Sequence, residues 1–258
     1  MRKILIIGVG VGNPDYMTVQ AINALNQADV LFIPDKGTEK AALRDLRKEI
    51  CDRFIKDPDY RTVDFKIPPR ENPDAGYRAS VADWHAKLEA EYESLFTREL
   101  AEGECGAFLV WGDPTLYDST LRIVETIRSK GFALDYDVIP GITAVQALAA
   151  QHRIALNRIG EPVLITTGRR LAEGMPDQLG SVVVMLDGEQ AFNRLAADDL
   201  DIYWGAYLGT EDEILVAGKL SEVAGEIEMV RKEARERMGW IMDTYLLRRS
   251  KKDESGSR

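Results

Sequence analysis

The sequence predicts an α/β protein built of two α/β domains with a cleft between them. Its 258 residues exceed one typical domain of about 150. Short β-branched runs alternate with stretches of helical periodicity, and three of the runs end in loops rich in Gly or Pro. The cleanest boundary falls near Pro140, which gives one domain over 1–139, a second over 140–247 and a polar tail over 248–258. A cleft between two such domains is a common place for a ligand.

Residues 3–9, KILIIGV, form a β-branched run that stops at glycines, as a buried parallel strand does. Thr18 is placed to cap a helix in which Val19, Ile22 and Leu25 recur at helical spacing. DVLFIP at 29–34 is a second strand, ended by Pro34, and completes a strand–helix–strand unit. From 36 to 80 the chain is less regular. Helices are expected over 38–56 and 77–101, with IPPRENPDAGYR as a loop between them. Lys and Arg outnumber Asp and Glu in 36–80, although the whole chain is net −10. A strand at 106–111, GAFLVW, is followed by helix 118–130, strand 134–139 and helix 143–152. The second domain is expected to hold strands at 162–167 and 181–186 and a helix near 189–197. Strands at 202–207 and 214–218, helix 221–235 and a last strand at about 240–247 complete it.

Composition narrows the function. With 45% apolar and 29% charged residues the bulk of the chain is not disordered. No apolar run approaches the roughly 18 residues of a membrane helix, and the apolar start is too short for a signal peptide, so a cytoplasmic protein is expected. Cys51, Cys105, His85 and His152 have no metal-ligand spacing, and no metal is expected. The negative balance argues against nucleic acid. A local basic pocket for a small polyanion stays compatible with it, because charges are screened beyond about 8 Å.

Three motifs sit at strand ends. Gly8-Val9-Gly10-Val11-Gly12-Asn13-Pro14 allows close backbone approach to a ligand, but a dinucleotide fingerprint needs a small residue where this chain has Asn13. The same glycines are compatible with a tight turn alone. In Trp111-Gly112-Asp113-Pro114-Thr115-Leu116-Tyr117, Asp113 is placed either to hold an amine or ribose hydroxyl or to cap the next helix. In Val138-Ile139-Pro140-Gly141-Ile142-Thr143-Ala144, Thr143 is placed either to cap a helix or to donate to a ligand. Together the three loops converge on the edge where open α/β sheets bind ligands.

The ordered set GVGVGNPDYMT at 8–18, ADVLFIP at 28–34, WGDPTLY at 111–117, VIPGITA at 138–144 and LGTEDE at 208–213 resembles the tetrapyrrole (corrin and porphyrin) methylases, over about 1–247. The resemblance implies the fold of class III methyltransferases, S-adenosyl-L-methionine as methyl donor with S-adenosyl-L-homocysteine as product, an anionic precorrin as substrate and a homodimer. PDKG at 34–37, the IPPRENPDAGYR loop, MLDGEQAF at 185–192 and GWIMDTYLLRR at 239–249 look most like the branch that methylates C1 of precorrin-5 and releases its acetyl group as acetate. The alternative within the family is a corrin-ring methylase acting at a different carbon. Outside it stand an NAD-dependent oxidoreductase, for which the phosphate turn is wrong, and a tetrapyrrole carrier that binds no cofactor. The family's usual start, G-x-G-P-G-D, is altered here, with Val11 at the Pro and Asn13 at the Asp.

Carried over residue by residue, the resemblance implies that Val11, Trp111, Gly112, Asp113 and Leu116 hold the methionine part of the cofactor. Thr143 and Ala144 would meet its carboxylate or amine side. Met185 or Leu186, with Gly209, Gly239 and Trp240, would line the adenine. Acetyl loss by water attack calls for a general base, for which His85, Asp35, Asp113 and Tyr117 are candidates. The bland reading of His85 is an exposed helix histidine, and His152 reads as structural. Lys36, Arg70, Arg78 and Arg169 or Arg170 are candidates for the substrate carboxylates, with a solvated surface charge as the alternative. Trp84, Trp111, Tyr117 and Trp204 are placed to face a macrocycle or to pack a core.

Overall fold

A computed structural model describes residues 1–35, 41–69, 77–176, 178–195 and 199–250, and for residues 41, 42, 77 and 78 the backbone only. The chain divides into two compact units, Met1–Thr143 and Ala144–Arg258, so the division falls four residues beyond 139, inside the Pro140 loop.

The first unit is a five-stranded parallel sheet in the order β3-β2-β4-β1-β5, where β1 is Arg2–Gly8, β2 Val30–Asp35, β3 Arg61–Lys66, β4 Cys105–Val110 and β5 Leu134–Ile139. Helices α1 (Val19–Leu25), α2 (Ala41–Phe54), α3 (Tyr77–Glu99) and α4 (Thr120–Ser129) connect the strands. Because side chains alternate along a strand, Ile4 and Ile6 of β1 join one core while Leu5 and Ile7 join another. The first core takes in Leu88, Tyr92 and Phe96 of α3 and Ile123 and Ile127 of α4. The second takes in Ala21 and Leu25 of α1 and Ile50 of α2. This two-sided burial explains why β1 reads as a continuous apolar run. Thr18 caps α1 as expected, its hydroxyl accepting from the Ala21 N–H at 3.0 Å.

The second unit holds α5 (Ala144–Gln151), β6 (Val163–Thr167), α6 (Gly168–Leu171), β7 (Ser181–Met185), β8 (Leu200–Ala206), β9 (Ile214–Lys219), α7 (Leu220–Met238) and β10 (Asp243–Arg249). Its mixed sheet runs β6-β7-β10-β8-β9, with β10 antiparallel to both β7 and β8. Val182, Val184, Ile202, Trp204 and Tyr245 pack with Ile227 and Ala234 of α7.

Several expectations are corrected. Strand β3 falls in the stretch read as irregular, and of its six residues only Phe65 is buried. Pairing with β3 carries β2 through Pro34 to Asp35, with Pro34 opposite Phe65, so Pro34 does not end the strand. The helix expected near 189–197 is a 3₁₀ turn, Ala191–Arg194, and α6 was not anticipated. Helix α7 runs on to Met238, where Gly239 takes up a left-handed φ of 76° and its N–H bonds Arg235 O. The last strand therefore starts at Asp243 and includes Arg248 and Arg249, which the tail reading left out.

Candidate functional site

In the first unit the carboxyl ends of β1, β4 and β5 lie side by side, and their loops are stitched by backbone. Gly10 and Gly112 form an isolated antiparallel bridge, with Gly112 N–H donating to Gly10 O at 2.8 Å. A Cβ on Gly141 would lie 2.1 Å from Gly112 O and 2.9 Å from Gly8 Cα, so these loops meet only as bare backbone.

Asp113 fixes this arrangement. Its carboxylate accepts from Gly141 N–H at 2.8 Å, from Thr115 N–H at 2.7 Å and from the Thr115 hydroxyl at 2.5 Å. Burial alone would raise this carboxyl, but the donors of Thr115 and Gly141 outweigh it and hold it below the ordinary aspartate range. Asp113 therefore neither caps α4 nor hangs free; it ties the β4 loop to the β5 loop.

Beside these loops the same unit contains a cavity of about 230 Å³. Its apolar wall is an aromatic cluster in which Tyr92 stacks on Phe108 at 4.6 Å and Phe32 lies 5.1 Å from Phe108. Its polar wall comprises Arg47 from α2, Trp111, Tyr117, Asp118 and Ser119 from the β4 loop, and Thr120 at the start of α4. Arg47 is 5% exposed; its Nε donates to Leu109 O at 3.0 Å and its Nη1 to Leu43 O at 2.9 Å. Burial lowers its pKa from the ordinary arginine value, against the pull of Asp118. Trp111 Nε1 is buried and has no hydrogen-bond partner among the described residues.

At the same wall Ser119 stands at the N-cap position of α4, yet its side chain makes no cap bond. Asp118 accepts from the Thr120 N–H instead, at 2.7 Å, and Ser119 Oγ lies 2.9 Å from His85 Nε2 of α3. Sequence reasoning passed over Arg47 and Ser119. An arginine in a charged helix reads as solvated, and a serine before a helix reads as its cap.

The other expected site residues are distributed as follows. Val11 and Thr143 are buried and flank Gly112, where a Cβ would come within 3.7 Å of Val11 Cγ1 and 3.8 Å of Thr143 Cα. Leu116 N–H donates to Asp113 O at 3.3 Å. Tyr117 has a left-handed φ of 54°, uncommon for a non-glycine residue, and lines the cavity. Trp84 lines it too and donates to Pro68 O at 2.8 Å. Asp35 ends β2. Lys36 and Arg70 lie outside the described residues, as does the side chain of Arg78 on α3.

In the second unit Ala144 opens α5. Met185 pairs with Thr244 and Ala206 with Asp243, which brings the ends of β7 and β8 to one edge, on either side of the start of β10. Leu186, directly after β7, is 65% exposed and has a φ of 54°. After β8, the Tyr207 hydroxyl donates to Trp240 O at 2.5 Å and the two rings meet edge to face at 5.3 Å. Gly209 N–H donates to Glu213, so Gly209, Gly239 and Trp240 gather at this edge. Arg169 and Arg170 are exposed on α6, with Arg170 paired to Glu173. His152 follows α5, its Nε2 3.0 Å from Trp204 O, and Trp204 is wholly buried core.

A parallel first sheet with glycine-stitched strand ends and a mixed second sheet are the architecture of a class III S-adenosylmethionine-dependent methyltransferase. The chain belongs to the tetrapyrrole (corrin/porphyrin) methylases, whose family model matches residues 3–224. It is 58% identical over 250 residues to a Sinorhizobium protein named precorrin-6A synthase [deacetylating], a match that covers 96% of each chain. A crystal structure of a putative cobalamin synthesis related protein, CobF, from Corynebacterium diphtheriae superposes with a TM-score of 0.84 at 40% identity, covering 97% of this chain and 100% of that one. The fold also matches a uroporphyrin-III C-methyltransferase from Thermus thermophilus, complexed with S-adenosylhomocysteine, at TM-score 0.57 and 17% identity over 95% of this chain and 96% of that one.

Proposed function

We propose that this chain is an S-adenosyl-L-methionine-dependent C-methyltransferase of aerobic cobalamin biosynthesis, which methylates C1 of precorrin-5 and releases its acetyl group as acetate to give precorrin-6A. The observation that carries this is the 58% identity, over 96% of both chains, to the Sinorhizobium precorrin-6A synthase [deacetylating].

Features of both units fit the cofactor. The Gly8, Gly112 and Gly141 junction leaves backbone bare at the strand ends, and backbone groups bind without losing side-chain entropy. Exposed Leu186, at a left-handed φ directly after β7, offers an apolar surface to the adenine. On this reading Val11, Trp111, Gly112, Asp113, Leu116 and Thr143 bind the cofactor from the first unit. Ala144, Met185, Leu186, Gly209, Gly239 and Trp240 bind it from the second. The cofactor supplies an electrophilic methyl group on a sulfonium. The chain's own task in methyl transfer is to hold the acceptor carbon in line, and orientation of this kind contributes about 7–11 kcal/mol. Asp113 acts here as the tie that keeps the loop in place, with Tyr117 presented beside it at the cavity wall.

Precorrins carry several carboxylates, which Lys36, Arg70, Arg78 and Arg169 are suited to meet. Among the described residues no helix is long and apolar enough to cross a membrane. A cytoplasmic homodimer with no nucleic-acid partner completes the proposal.

Titration with S-adenosylhomocysteine and with NAD, followed by mass analysis of precorrin-5 turnover, tests it. The proposal expects binding of the first ligand only, and a product that has gained one methyl and lost one acetyl group. Binding of NAD alone, or a methyl gained with the acetyl retained, would overturn it.

A further inference from the structure

We infer that Ser119 and His85 are the deacetylating pair, with Ser119 as the nucleophile and His85 as its base. The inference rests on the reaction proposed above. Three independent features of the first unit meet here. The Ser119 hydroxyl is not used to cap α4: Ser119 has helical dihedrals, φ −105° and ψ −14°, and Asp118 accepts from the Thr120 N–H instead. The same hydroxyl lies 2.9 Å from His85 Nε2, a nucleophile and base within hydrogen-bond reach. Ser119 also lines a cavity together with Trp111, whose buried Nε1–H has no hydrogen-bond partner among the described residues, and with the buried guanidinium of Arg47. A small acyl group bearing a carbonyl oxygen, released as a carboxylate, is the ligand that such donors satisfy. A cavity of about 230 Å³ has room for an acetyl group and its attacking water.

The chemistry balances without a further reagent. Ser119 Oγ bonds to the acetyl carbonyl carbon while its proton passes to His85 Nε2. The bond from the acetyl carbon to the ring breaks, and its electron pair stays on the ring, which becomes the nucleophile that methyl transfer needs. His85 releases the proton it took to solvent; water then attacks the acetyl ester, passing one proton through His85 to the departing Ser119 oxygen, and the acetic acid formed leaves as acetate with its own proton given to solvent. Deacetylation thus precedes and enables methylation.

The test compares the full-length parent chain with Ser119→Ala, His85→Gln and the double variant. Acetate release and methyl transfer are followed together, with S-adenosylhomocysteine affinity as the control for folding. Each single variant is expected to bind S-adenosylhomocysteine like the parent and to lose both activities by about a hundredfold or more. The double variant should be no worse than the poorer single one, because groups acting as a unit are non-additive. Either single variant turning over near the parent's rate would overturn the pair alone. A parent that transfers methyl without releasing acetate would overturn the reaction reading, and the pair with it. Where Ser119→Ala fails to bind the control ligand, Ser119→Cys decides. Its acetate release should be abolished by iodoacetamide while the parent's is not, and insensitivity would reject Ser119 as the nucleophile.

Discussion

Asp113 shows how one side chain sets the geometry of a site. It accepts one bond across to Gly141 and two within its own loop, so its removal strands the Gly141 N–H in a half-buried place. Asp113→Ala is expected to cost about 1–3 kcal/mol of stability and to weaken S-adenosylhomocysteine binding by calorimetry. The folded carboxyl sits below its ordinary range, so its contribution is fully present above the unfolded value of about 3.9 and is lost as pH falls through the folded value. The stability gap between parent and variant should therefore close in acid and not in base. Gly141→Ala is a harsher change. Its methyl would sit 2.1 Å from Gly112 O, and backbone cannot swing aside as a side chain can. A loss of about 1–3 kcal/mol or more is expected, read as a lower Tm. The sequence made the glycine loops visible but left Asp113 between ligand and helix cap. A tie between two loops 28 residues apart has no local signature.

At the scale of elements, long apolar runs and helical periodicity were legible because burial imposes them. All four residues Ile4 to Ile7 of β1 are buried, and α4 buries Ile123, Val124 and Ile127 at helical spacing. β3 was not legible because an edge strand with a single buried residue carries almost no pattern. Nor was the polar scaffold of the second unit, which joins α7 to the sheet. Arg231 Nε donates to Asp243 Oδ2 at 2.9 Å and its Nη2 to Asp187 O at 3.0 Å, while Trp204 Nε1 donates to the same Asp243 oxygen at 3.0 Å. Tyr245 completes the set by donating to Asp187 at 2.5 Å. Breaking a buried pair leaves an uncompensated charge. Arg231→Met is expected to destabilise the protein by about 3–5 kcal/mol in denaturant unfolding. A fall of well under 1 kcal/mol would show that Asp243 is adequately held without its partner.

On the scale of the whole molecule, the two α/β units and the family were legible because ordered motifs survive where loops must bring backbone to a ligand. The pairing of His85 with Ser119 was not, since the two are 34 residues apart and meet only when the start of α4 comes to α3; the sequence offered His85 alone, as one candidate base among several. The account's central claim is that one chain couples acetyl loss to methylation at a single ring carbon. The most direct test incubates the protein with precorrin-5 and S-adenosylmethionine carrying a ¹³C-labelled methyl, then locates the label by NMR while acetate is quantified. The account predicts the label on C1 and one acetate released per methyl transferred. A label on any other ring carbon, or methylation without matching acetate, would contradict it.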